Sequence, residues 1–153
     1  MQIGQILAPG RVRVDAPATS KKSVLEALAG LIAEDQPEVT PTEVFDSFIA
    51  RERLGSTGLG HGVAIPHCRV NTASAARAAL IRTDQPVDFD AIDGEPVDLF
   101  FALAVPAEST QEHLDILATL AGMFSDRELV AQLRSNESAD EVFRLVTGWI
   151  DAA

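Results

Sequence analysis

Between Arg51 and Arg69 the chain reads Arg-Glu-Arg-Leu-Gly-Ser-Thr-Gly-Leu-Gly-His-Gly-Val-Ala-Ile-Pro-His-Cys-Arg. The group with most chemistry in it is the imidazole of His67, a side chain whose ordinary pKa places its charge change near neutrality. Four glycines, Gly55, Gly58, Gly60 and Gly62, fall within eight residues ahead of it. An apolar strand is then expected over 62–67, ending at Pro66 and His67 because proline has no N–H to give a sheet ladder. Two readings of the stretch fit equally. The glycines can supply positive φ in plain turns, with His67 an ordinary surface side chain. Alternatively, their backbone N–H groups surround an anion that the imidazole carries or receives. Spacing alone favours neither.

Other chemistries can be set beside these. Cys68 adjoins His67, but neighbouring strand residues point to opposite faces, so a nucleophilic Cys-His pair made from these two has poor geometry. His61, His67 and His113 could be read as a zinc triad, yet their spacing matches no compact metal signature, and a glycine-rich loop is a poor place to fix two of three ligands. No metal is expected.

Taken whole, Arg51 to Cys68 closely resembles the active-site segment of the enzyme IIA domains of the fructose, mannitol and nitrogen-regulatory branches of the bacterial phosphotransferase system. The likeness rests on the Arg-Glu pair, on Gly-Ser-Thr-Gly-Leu-Gly, and on Gly-Val-Ala-Ile-Pro-His. It extends to Glu112-His113-Leu114-Asp115-Ile116-Leu117, similar to the family's helix that opens with a histidine before a leucine-rich run. His61 and Cys68 depart from it, standing where the family has Asn or Glu, and Gly.

The resemblance implies that His67 is the phosphorylated residue and that His113 faces it. It implies a phosphoryl carrier that receives its phosphate from a phosphohistidine protein of the HPr type. His113 would then hydrogen-bond the phosphate, while Arg51, Ser56 and Thr57 would offset its charge. The donor is already labile, so no cofactor is expected. Downstream, a sugar-transport IIA would pass the phosphate to a IIB domain, whereas a nitrogen-type IIA would act on regulated target proteins through its phosphorylation state. The free-standing chain and the Gly-Ser-Thr-Gly loop are more similar to the nitrogen type. A pure interaction domain that kept the fold without phosphorylation is disfavoured by the presence of His67, His113 and Arg51 together.

Composition sets bounds on all of this. The formal charge of −11, from 23 acidic and 12 basic residues, disfavours a nucleic-acid surface, which needs clustered Lys and Arg, and points to protein partners with basic faces. No apolar run approaches the ~20 residues of a membrane span, and one cysteine cannot make an internal disulfide, so a cytoplasmic protein without membrane insertion is expected.

The elements that must position the histidines follow from periodicity. Ile3, Ile6 and Leu7 suggest a helical turn, and 11–14 a short edge strand. Thr19 or Ser20 caps a helix running to about Asp35 with Val24, Leu25, Leu28, Leu31 and Ile32 inward. Thr40-Pro41-Thr42-Glu43 reads as a capping box opening a helix to about Arg53. The inward stripe Val44, Phe45, Phe48 and Ile49 leaves Arg51 at its border, near the glycines. Residues 75–83 read as a strand, and 97–105 as a central strand buried on both faces. A helix from Ser109 or Thr110 to Phe124 carries two apolar stripes: Leu114, Leu117, Ala118 and Ala121, then His113, Ile116, Leu120 and Met123. It is therefore expected between two layers. A short helix over 126–133 and a last one from Ser138 to Ile150, burying Val142, Phe143, Val146, Trp149 and Ile150, complete one domain over 1–153. The fold expected is α/β, a mixed parallel and antiparallel sheet flanked by helices.

Overall fold

The run Val97–Pro106 is nearly all apolar, and in the computed structural model, which describes residues 3–109 and 111–149, it is the centre of the sheet. In chain order the elements are β1 (Val12–Ala16), α1 (Lys21–Ala33), α2 (Pro41–Glu52), β2 (Gly58–Gly60), β3 (Val63–Ala64), β4 (His67–Val70), β5 (Arg77–Val87), β6 (Val97–Pro106), α3 (Gln111–Phe124), α4 (Arg127–Ser135) and α5 (Ala139–Thr147), preceded by two short 3-10 turns. Strand order is β1-β5-β6-β3-β2, with β4 also on β6. β5 runs antiparallel to β6, while β3 and β4 run parallel to it, so the sheet is mixed.

Alternation along β6 divides the hydrophobic core in two. Val97, Phe100, Ala102 and Ala104 face α1 and α2, where Leu25, Leu28, Ile32, Val44 and Phe48 are fully buried or nearly so. Leu99, Phe101, Leu103 and Val105 face Ile3, Ile6 and Leu7 together with α3, α4 and α5. Helices cover both faces, which is why the central strand reads as continuous apolar sequence instead of alternating.

Helix starts follow their caps. Ser20 accepts from Ser23 N and Ser23 returns the bond, a complete capping box. Thr40 accepts from Glu43 N with Pro41 in the first turn, while the Glu43 carboxylate accepts from the Thr72 hydroxyl at 2.7 Å. Asp126 and Ser138 cap α4 and α5 in the same way. Thr110, the alternative cap for α3, and Ile150, expected in the last buried stripe, lie outside the described residues.

Three expectations are corrected. His67 begins a strand instead of ending one. The segment 62–67 is broken at Ile65-Pro66, because Pro66 lacks an N–H and Ile65 N–H donates to Thr57 O at 3.0 Å, on the β2 side, instead of to β6. Pairing with β6 resumes as His67 opposite Leu103. The glycine segment is not an open loop but a hairpin arm, β2 against β3, whose turn holds Gly60, His61 and Gly62 all at positive φ (92°, 56° and 80°). Finally, α3 is not sandwiched between layers. Ile116, Leu120 and Met123 are buried with His113, while Leu114 is 60% exposed and Ala118 and Ala121 face solvent, since α1 and α2 occupy only the opposite face of the sheet.

Phe100 is fully buried and packs edge-on to Phe89 with ring centroids 5.2 Å apart. Phe100→Ala should lower unfolding free energy by about 3–5 kcal/mol. Denaturant titration checks this, and a loss below about 1 kcal/mol would show that β6 is not the centre of the core.

Candidate functional site

The break before β4 decides how His67 is presented. Its Nδ1 lies 2.7 Å from the carbonyl oxygen of Ile65. A carbonyl can only accept, so Nδ1 carries the hydrogen, and in the neutral ring Nε2 holds the lone pair. His67 is half-buried, and burial is the main force holding its pKa below the ordinary 6.5; the charge of Arg51 adds to this, while the Ile65 hydrogen bond and Glu52 oppose it. The imidazole is thus kept neutral with one nitrogen committed and the other available.

His113 arrives from the first turn of α3, its ring edge-on to that of His67 at 5.5 Å between centroids and 85° between planes. It is 6% exposed, and its buried Nδ1 makes no hydrogen bond among the described residues. Burial, then the charges of His67, Arg69 and Arg51, push its pKa down as well.

Around the pair lies a surface cavity of about 430 Å³ walled by Arg51, Leu54, Arg69, Leu114 and Leu117. Arg51 sits in the last turn of α2, and its Nη1 donates to Gly55 O at 2.9 Å, which folds the guanidinium back over the start of the glycine segment. Arg69 was not singled out from the sequence. The signal was available: it lies two positions along β4 from His67, hence on the same face, and Cys68 between them turns the opposite way. Cys68 is buried and its thiol pKa is pushed up to about 12, so it is no thiolate nucleophile near neutrality.

The other candidates are placed differently. The Ser56 hydroxyl donates to Phe89 O at 3.2 Å and accepts from Gly58 N at 3.1 Å. Thr57 is buried, with its hydroxyl on Glu52 Oε2 at 2.5 Å. Neither lines the cavity of the two histidines. They brace the segment behind it. Glu52, the unassigned half of the Arg-Glu pair, is the centre of that brace: its side chain is 5% exposed and meets Lys21 Nζ at 3.1 Å, and Lys21 lies 4.7 Å over the Phe89 ring. His61 stands apart from His67 and His113, in the β2–β3 turn with its N–H on Asp93 Oδ2. Among the described residues no three His, Cys, Asp or Glu side chains gather as a metal site.

Comparison with known proteins places almost the whole chain among relatives. Residues 5–148 match the family described as phosphoenolpyruvate-dependent sugar phosphotransferase system, EIIA 2. A nitrogen regulatory protein of Pseudomonas aeruginosa is 45% identical over 146 residues, covering 95% of each chain. The crystal structure of the nitrogen regulatory protein IIA-Ntr from Neisseria meningitidis superposes with a TM-score of 0.89 at 45% identity, over 95% of this chain and 99% of that one. The IIA mannitol structure from Escherichia coli, at 20% identity, shares the fold, with a TM-score of 0.76 over 91% of this chain and 97% of its own.

The two imidazoles should both titrate below 6.5 when followed by their ring C–H resonances. Since their folded pKa values are lowered, the unfolded chain binds protons first. The stability they carry is complete above 6.5 and drains as pH falls from there toward the folded midpoints. A midpoint above 6.5 for either ring would contradict the burial argument.

Proposed function

The chain belongs to the EIIA 2 family of the phosphoenolpyruvate-dependent sugar phosphotransferase system, and on that basis we propose that His67 is the residue on which it carries phosphate in nitrogen regulation. The observation that carries this reading is the Nδ1 bond to Ile65 O, which leaves Nε2 as the free nucleophile in a cavity flanked by Arg51, Arg69 and His113.

The reaction is a transfer between imidazoles. Nε2 of His67 attacks the phosphorus of a phosphohistidine on an HPr-type carrier, in line with the bond being broken. The electron pair of that bond returns to the carrier's ring nitrogen as the new P–N bond forms on His67. Once phosphorylated, the His67 ring keeps its Nδ1 hydrogen and takes on positive character, and the Ile65 carbonyl stabilises that charge. Arg51 and Arg69 offset the phosphoryl oxygens, and the His113 edge donates a hydrogen bond to one of them. Little covalent rearrangement is asked of the protein. Rate comes from positioning, which the strand β4 and the first turn of α3 provide.

Likeness to nitrogen regulatory relatives along almost the whole chain supports the regulatory branch over a sugar-transport IIA feeding a IIB domain. The strongly acidic surface suits brief encounters with a carrier that is basic around its own histidine, because long-range attraction raises the encounter rate without a slowly dissociating complex.

Labelling with phosphoenolpyruvate, enzyme I and an HPr-type carrier tests the assignment. His67→Ala should accept no phosphate while remaining folded, and His113→Ala should accept it roughly 10²- to 10³-fold more slowly, the usual cost of one lost transition-state donor. Undiminished acid-labile phosphate on His67→Ala would overturn the role of His67. Wild-type rates in His113→Ala would make His113 a packing residue.

A further inference from the structure

Two elements beside the histidine pair run on to a second cavity: α3, which carries His113, and β3, which precedes the break ahead of His67. Phe124 is the last residue of α3, whose third residue is His113, and the helical rise puts it roughly 16 Å further along the axis. Val63 begins β3, the strand just ahead of the break that presents His67. Together with Val130 of α4 they form the buried floor of a cavity of about 760 Å³, within the usual size of a site for one small molecule.

The rim has a definite electrical character. His61, Arg127 and Arg134 line it, and among the described residues no carboxylate does, in a chain whose net charge is −11. Arg134 is fixed: Nε and Nη2 meet Asp98 Oδ1 at 3.2 and 3.0 Å, and Nη2 also donates to His61 O at 2.5 Å. Its charge is shared with Asp98. Arg127, two helical turns earlier on the same face of α4, is exposed and enters no ion pair among the described residues. It leaves the mouth of the cavity positive above an apolar floor. The chemistry at His67 uses none of these groups.

We propose that this cavity binds a small amphipathic anion: a flat apolar body against Val63, Phe124 and Val130, and a carboxylate, sulfonate or phosphate group meeting Arg127. A ligand seated there touches α3, which carries His113, and β3, the strand ahead of His67.

The fluorescent probe 8-anilino-1-naphthalenesulfonate, titrated into the full chain, tests this. Saturable one-to-one binding is expected, weakened at least about tenfold by Arg127→Gln and lost in Ala131→Trp, which fills the mouth. The neutral analogue N-phenyl-1-naphthylamine should bind less tightly and be indifferent to Arg127→Gln. Phenylacetate and phenyl phosphate should displace the probe, their relative strength identifying the preferred head group, and inorganic phosphate should not. Arg127 and Ala131 are both exposed, so both variants should fold; if Ala131→Trp does not, the Arg127→Gln comparison decides. Wild-type affinity in Arg127→Gln, equal affinity for the neutral dye, or displacement by inorganic phosphate alone would overturn the proposal. His67→Ala should bind the probe normally, which keeps this result separate from the phosphoryl-carrier reading.

Discussion

The hydrogen bond from His67 Nδ1 to the carbonyl of Ile65 is the constraint on which the site depends. Ile65 N–H is held by Thr57 O and Pro66 O accepts from Leu103 N as pairing with β6 resumes at His67, and between these bonds the Ile65 carbonyl meets the ring. A continuous strand would have tied that carbonyl to a neighbouring strand and left the imidazole free to choose either tautomer. Proline has no N–H to give the ladder here, and the carbonyl just ahead of it fixes which nitrogen of His67 keeps its lone pair.

Everything else holds that arrangement in place. β6 lies beside β4 and supplies the ladder to which His67 returns, and its two faces anchor the helices on either side. The buried Glu52 joins α1, α2 and the start of β2 through Lys21 and Thr57, and so sets the end of α2 from which Arg51 folds back. A carboxylate this buried is tolerated because a cation and two donors from Thr57 satisfy it. Depressed basicity at His67 and His113 has the same origin. Burial and nearby guanidinium groups disfavour a proton on either ring, and those same guanidinium groups favour a dianionic phosphoryl group beside them.

Much of this was legible in the residues. Caps at Ser20, Thr40 and Ser138, the apolar run of β6, and the meeting of His113 with His67 all followed from local patterns or from the family resemblance. What escaped depended on partners distant in sequence. That His67 opens β4 depends on Thr57 O and on β6, neither of which a window around Pro66 contains. The hydroxyls of Ser56 and Thr57 look ready for a phosphate until Phe89 O and the Glu52 carboxylate are seen to hold them. The wet stripe of α3 misled for a related reason: leucine and alanine at helical spacing report apolar character, not what covers it, and Leu114 stands open beside the histidine cavity. Arg69 was missed because the strand was expected to end at His67, so the face that residues 67 and 69 share along β4 was out of view.

The most direct measurement is the position of phosphate on the ring. Nitrogen-15 NMR of the phosphorylated protein, labelled in histidine, distinguishes Nδ1- from Nε2-phosphohistidine by the shifts and couplings of the two nitrogens. With Nδ1 committed to Ile65 O, phosphate must appear on Nε2 of His67, with Nδ1 still protonated. Phosphate on Nδ1, or on His113, would contradict the account at its foundation.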